Sequence, residues 1–136
     1  MSYRYKDNTK EVLDALEKAK RRGLAAIGLH AEGNAKEDPN MPVDTGRARN
    51  SITYALAGEE AHIKSYTGDH GEEGGVYIGA ADGKKGEAVY IGSNVEYFPV
   101  IEEGGRNMTA RHVLRRAATS HKDEYKRLME ESMKNA

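Results

Sequence analysis

From Asn8 to Lys36 the chain contains no proline, and it then meets two, Pro39 and Pro42. Proline disfavours a helical residue before it, so an element begun at Asn8 must stop near Glu37. Within the stretch Val12, Leu13, Leu16, Ala19, Ile27 and Ala31 recur at roughly helical spacing, which predicts one long helix. Asn8 with Glu11 three residues later has the form of a capping box, in which the Asn oxygen accepts a free first-turn N–H. Gly23, Gly28 and Gly33 interrupt the pattern. Each costs about 1 kcal/mol relative to Ala inside a helix, so the helix is expected to kink or to need packing partners, with the glycines marking close helix contact.

Beyond the loop Glu37–Val43 the periodicity changes. Ser51-Ile52-Thr53-Tyr54-Ala55-Leu56 alternates as a half-buried strand does, and Ala61 to Tyr66 fits another short strand. Thr67 to Gly75 holds four Gly among Asp, His and Glu, and is read as a flexible hairpin extension over residues 67–75. Two near-copies follow, Val76-Tyr77-Ile78-Gly79-Ala80 and Val89-Tyr90-Ile91-Gly92-Ser93, with an Asp82-Gly83 turn signal between them; they are expected to pair as a hairpin. A brief turn or helix is expected around Val95 to Glu102, and a second long helix from Thr109, as N-cap, to about Met133. The expected class is therefore α+β: a long N-terminal helix, a small antiparallel sheet of about four strands, and a long C-terminal helix on one face of that sheet, in a single domain spanning 1–136.

Such a domain has little to bury. Leu, Ile, Val and Phe number 7, 6, 7 and 1 among 136 residues, and 32% of the chain is charged. A subunit that draws stability from neighbours is expected to look like this. The net charge of −1 provides no global attraction to nucleic acid or anionic lipid. It conceals a polarity, however. Residues 57–104 carry ten acidic and three basic side chains, whereas residues 111–136 carry seven basic and four acidic, which reads first as solvated loop and helix faces and also permits head-to-tail matching between subunits. No run reaches the roughly 18 apolar residues of a membrane helix, and the charged opening MSYRYKDNTK is unlike a signal peptide, so a cytoplasmic chain is expected.

Catalytic patterns are missing. The absence of cysteine removes thiol nucleophiles and thiolate metal sites. Gly79 to Gly83 encloses three residues where a P-loop needs four, Lys85 follows Lys84 in place of Ser or Thr, and neither a nucleophile elbow nor H-E-x-x-H is present. His62 and His70, with Asp69, Glu72 and Glu73 near, match no ligand spacing, and the adjacent side chains of Glu102 and Glu103 are expected to diverge. No enzyme activity, metal or cofactor is expected. For nucleic acid the candidates are Lys18, Lys20, Arg21 and Arg22 on the first helix and Arg111, Arg115 and Arg116 on the last. Without an aromatic platform beside them, these read chiefly as solvated helix faces, and a small nucleic-acid-binding regulator is the alternative function.

The most distinctive segment is Pro42-Val43-Asp44-Thr45-Gly46-Arg47-Ala48-Arg49-Asn50-Ser51-Ile52. Asp44 has the chemistry of a cap, Gly46 permits close backbone approach and Arg47 offers a planar fork of donors, so the segment reads as a structured joint between helix and strand. Taken with VYIGSNVEYFPVIEEGG (89–105) and Ala110-Arg111-His112-Val113-Leu114-Arg115-Arg116-Ala117, it resembles the small tail-completion, head-tail joining or minor tail proteins of long-tailed phages, over the whole chain and in order. Ala48 stands where that family commonly has Leu, Glu103 where it has an aromatic, and His112 and Arg116 where it often has prolines. The resemblance implies a structural motif at Pro42, Val43, Asp44, Thr45, Gly46, Arg47, Tyr97, Pro99, Glu102, Gly104 and Leu114. It also implies non-catalytic work in virion assembly: a ring of subunits at the head-proximal end of the tail, contacting other neck and tail proteins such as the tail tube or terminator and the head-completion protein. DNA would meet it at most through the ring lumen, and its place would be the host cytoplasm first and the virion neck later. Arg111, Arg115 and Arg116 are the candidate subunit or tail interface.

Overall fold

The computed structural model describes residues 7–41, 47–57, 62–67, 73–78, 88–93, 97–106 and 109–136, with the backbone alone at 47, 62–67 and 73–78. The first helix, α1, runs Thr9–Lys36, and Pro39 follows its end as expected. Its start differs in detail. Asn8 makes no side-chain cap bond and sits at φ −101°, ψ 13°, outside the extended geometry that aims a capping side chain at the first turn. Asp7 does that work, its Oδ1 accepting the Thr9 N–H at 2.9 Å.

After a single turn of helix, α2 (Arg47–Asn50), come four strands: β1 (Thr53–Leu56), β2 (His62–Thr67), β3 (Glu73–Ile78) and β4 (Val89–Gly92). They form two antiparallel ladders of two, β1–β4 and β2–β3, and not one ladder of four. The two V-Y-I-G copies are thus not partners. Val76 lies opposite Lys64, and Val89 opposite Leu56. Loop closure favours this pairing slightly, since β3 reaches β2 across residues 68–72 and β4 lies beyond residues 79–88. The proposed flexible extension is therefore shorter than residues 67–75, since Thr67 and Glu73 are ladder partners; residues 68–72 lie outside the described residues.

The chain closes with α3 (Phe98–Glu103), α4 (Val113–Thr119) and α5 (Lys122–Lys134). The single helix expected from Thr109 to Met133 is thus two, beginning four residues later. Thr119-Ser120-His121 is a run of weak helix formers, and the Thr119 hydroxyl donates back to the Arg115 carbonyl at 2.8 Å. The break lets Tyr125, near the start of α5, donate its hydroxyl to the Ala117 carbonyl while accepting from Asn34 Nδ2 at 3.1 Å.

α5 lies antiparallel along α1, with Ser132 Oγ donating to the Ala19 carbonyl at 2.6 Å and His30 Nδ1 2.7 Å from Glu124 Oε1. Two glycines make this layer possible. A Cβ on Gly23 would stand 2.6 Å from Met129 Sδ, and one on Gly28 would stand 2.6 Å from the Tyr54 ring and 2.8 Å from Val89, whereas Gly33 faces open space. The hydrophobic core gathers at the other end of α1, from Ala35, Met41, Ala48, Ile52, Phe98, Ile101, Val113 and Ala117.

Candidate functional site

Of the residues that carry the resemblance, Tyr97, Pro99, Glu102, Gly104 and Leu114 lie where α3 meets α4. Tyr97 precedes the first turn of α3, and Pro99 falls within that turn, where a missing N–H leaves no hydrogen bond unmade. Ile101 and Glu102 point inward, while Glu103 faces out. Gly104 ends the helix at φ 84°, a conformation that favours glycine, and its N–H closes onto the Val100 carbonyl at 2.8 Å. The chain then doubles back. Arg111 N–H donates to the Ile101 carbonyl at 2.9 Å and His112 N–H to the Glu102 carbonyl at 3.1 Å, which satisfies acceptors left over at the C-terminal end of α3.

Glu102 completes the joint from the other side. Its carboxylate accepts the Leu114 N–H at 2.8 Å through Oε1 and the Arg115 N–H at 3.0 Å through Oε2. The first turn of α4 has no local side-chain cap, because His112 occupies the cap position in a left-handed conformation at φ 49°. A buried carboxylate from another helix supplies the missing acceptor and also places negative charge at the positive end of α4. Glu103, by contrast, lies 3.5 Å from the Arg115 guanidinium, with both side chains more than half exposed.

Three arginines hold the end of α1 against this joint. Arg116 grips Asp38 with Nε at 2.7 Å and Nη2 at 3.0 Å, and Asp38 Oδ1 also accepts the Asn40 N–H at 2.8 Å. Arg111 Nη1 donates to the Asn40 carbonyl at 3.1 Å, and Arg49 Nε donates to the Lys36 carbonyl at 3.1 Å. Cations are favourable at the carbonyl end of a helix. The Arg116 hydrogen bonds hold the Asp38 carboxyl below its ordinary value, outweighing its partial burial, and Asp38 in turn raises Arg116. Of the three arginines expected to face a subunit or tail, Arg116 and Arg111 are thus turned largely to intramolecular work, and Arg115 is the most exposed.

Pro42, Val43, Asp44, Thr45 and Gly46 lie outside the described residues, and Arg47 opens α2. The segment's downstream end is buried: Ala48 and Ile52 enter the core, and Ser51 Oγ meets the Ala48 carbonyl at 2.7 Å and Ser93 Oγ at 2.6 Å. Leu114 packs at the edge of that core. The first strand consequently starts at Thr53, with Ser51 and Ile52 serving the joint before it.

Beside the joint an open groove of about 450 Å³ has a largely apolar floor, including Ile27, Ala31, Val89, Ile91, Leu114 and Ala118. Glu102, Glu103 and His112 bring one ligand atom each within 4.8 Å of the others. Their chemistry is already committed, since Glu102 spends both oxygens on α4 and Glu103 faces Arg115. A cation would also confront the positive end of α4. His112 Nδ1 is buried without a hydrogen-bond partner among the described residues. In the region of the other sequence-flagged cluster, His62 pairs with Ile78 and Glu73 with Thr67, at opposite ends of one ladder, while Asp69, His70 and Glu72 lie outside the described residues.

Sequence reading missed the grip of Arg116 on Asp38 and the capping of α4 by Glu102. Neither has a short-range signature, because the partners are 78 and 12 or 13 residues apart. Among the described residues no helix is long and apolar enough to cross a membrane. Comparison of the chain with protein-family models, curated proteins and solved structures gives no match.

Proposed function

We propose that this protein is a structural, non-catalytic component of phage assembly. It acts as a subunit of an oligomeric ring at the head-proximal end of a long tail, helping to join head and tail. The observation that supports this reading most is Glu102. It belongs to the Tyr97-x-Pro99-x-x-Glu102-x-Gly104 segment of the resemblance, and its carboxylate bonds to the backbone of the helix start Leu114-Arg115, the other downstream element of the same resemblance. A rigid joint between those two segments suits a part whose function is shape. No pair of uncommitted acid and base side chains faces the groove beside it among the described residues.

The ring requires one patch of the subunit to meet a different patch on the next. The acidic balance of residues 57–104 in the sequence and the exposed cations of α4 and α5, Arg115 foremost, are opposite in sign, as such a contact between unlike patches needs. Electron microscopy of the purified protein mixed with tail tubes of long-tailed phages tests the reading. Density at one end of the tube is the expected result. Failure to attach, together with salt-dependent binding to duplex DNA fragments, would replace this reading with the nucleic-acid regulator.

A further inference from the structure

α1 carries more apolar surface than its own chain covers. Its stripe Val12, Leu16, Ala19, Gly23 follows the 4-3-4 spacing of a helix–helix seam, and α5 occupies that seam from Asn34 down to Ala19. Ala19 and Gly23 are buried there. One turn further out the cover ends. Every residue from Asp7 to Lys18 is exposed, with Val12 at 54%, Leu13 at 56% and Leu16 at 39%. These first turns, roughly 15 Å of helix, project as an arm whose apolar face has no partner among the described residues.

The geometry points to a second copy of this chain as the occupant, its arm lying antiparallel across the first and crossing near Leu13, so that Leu13 and Leu16 of each copy meet those of the other. Charge selects that arrangement. Lys10 and Glu17 sit seven residues apart on the same flank of the apolar ridge, so antiparallel arms set Lys10 of each beside Glu17 of the other. The contact between Glu17 and Lys20, at 3.2 Å, is an exposed intrahelical pair that can exchange partners at little cost. The same crossing lays the acidic start of one arm, Asp7 before the helix and Glu11 in its first turn, beside the basic last turn of the other copy's α5, at Lys134. The contact is isologous, one patch meeting itself about a two-fold axis, and so yields a closed dimer. It is also short beside a standard interface, so the dimer is reversible and dilution separates it. The inference rests on this surface alone and not on the virion reading.

The chain has no cysteine, so Leu13→Cys introduces a single thiol. Mild oxidation is expected to link two copies through it, while Leu29→Cys, equally exposed at 57% but outside the stripe, stays unlinked. Sedimentation equilibrium should show monomer and dimer exchanging with concentration, and Leu13→Glu with Leu16→Glu should leave monomer alone with an unchanged Tm. Lys10→Glu should weaken the dimer several-fold, and adding Glu17→Lys should restore it without altering the apolar face. A protein that stays monomeric at the highest soluble concentration would overturn the inference, as would a dimer indifferent to both sets of substitutions or larger closed assemblies that leave Cys-substituted position 13 unlinked. None of these results needs a phage component, so each leaves the virion reading standing.

Discussion

The two ends of α1 are built on opposite terms. At its C-terminal end Ala35 is fully buried in the core, Lys36 and Asn40 give their carbonyls to Arg49 and Arg111, and Asp38 is clamped by Arg116. At its N-terminal end the helix stands in solvent with three large apolar side chains uncovered. One continuous helix therefore joins the most constrained part of the molecule to one of its barest. The difference shows where stability is made, in α3 and α4 and the end of α1, and where surface remains for another chain.

Substitutions should separate the two ends sharply. Glu102→Ala is expected to have the largest effect, since it leaves two N–H groups at the start of α4 without their acceptor and unties α3 from α4. About 2–3 kcal/mol of unfolding free energy should be lost in urea titrations, and Glu102→Gln should recover part of it. Gly28→Ala comes next, at about 1–3 kcal/mol, because its Cβ meets the Tyr54 ring and Val89 in the packed interior. Gly33→Ala should act in the opposite direction. Nothing stands within 4 Å of its Cβ, so helix propensity alone applies and the protein should gain up to about 1 kcal/mol.

Acid should act on the constrained end. Hydrogen bonds from Arg116 hold the Asp38 carboxyl below its ordinary value of 3.8, and His30 does the same, in a more exposed setting, for Glu124 against 4.5. A depressed carboxyl contributes stability that is complete above its ordinary value and lost as pH falls through its folded one. Tm should therefore hold from neutral pH to about pH 5 and fall below about pH 4. Asp38→Asn should lower Tm at neutral pH and flatten the acid fall. The smallest effect is expected at the other end: Leu13→Ser should change unfolding free energy by no more than about 0.5 kcal/mol, since that side chain packs against nothing among the described residues.

The same contrast governs what could be read in the sequence. α1 was legible nearly to the residue because its signals, the apolar spacing and Pro39, are local. The expected close helix contact of its glycines is found at Gly23, against α5; Gly28 instead meets strand residues Tyr54 and Val89, and Gly33 meets nothing within 4 Å. Strand positions were legible from alternation, but their pairing was not: V-Y-I-G appears twice, and the near-identity of the copies says nothing about which strand each meets. At the joint Glu102 stood out as half of an acidic pair and through the resemblance, and neither reading gave it the role of capping α4. Its role depends on the chain doubling back through Gly104, a non-local fact, whereas the break at Ser120-His121 had a local signal in the weak helix formers Thr119-Ser120-His121.

Amide hydrogen exchange read along the chain at two protein concentrations bears most directly on the account. In dilute solution the amides of Leu114 and Arg115, bonded to Glu102, should be among the slowest, together with those of Gly28 to Lys36, and the amides from Leu13 to Lys18 among the fastest of the helical ones. In concentrated solution only the arm should slow. Exchange at Leu114 and Arg115 as fast as in the arm would contradict the joint, and arm amides as slow in dilute solution as those of Gly28 to Lys36 would contradict the division of α1 into a held end and a free one.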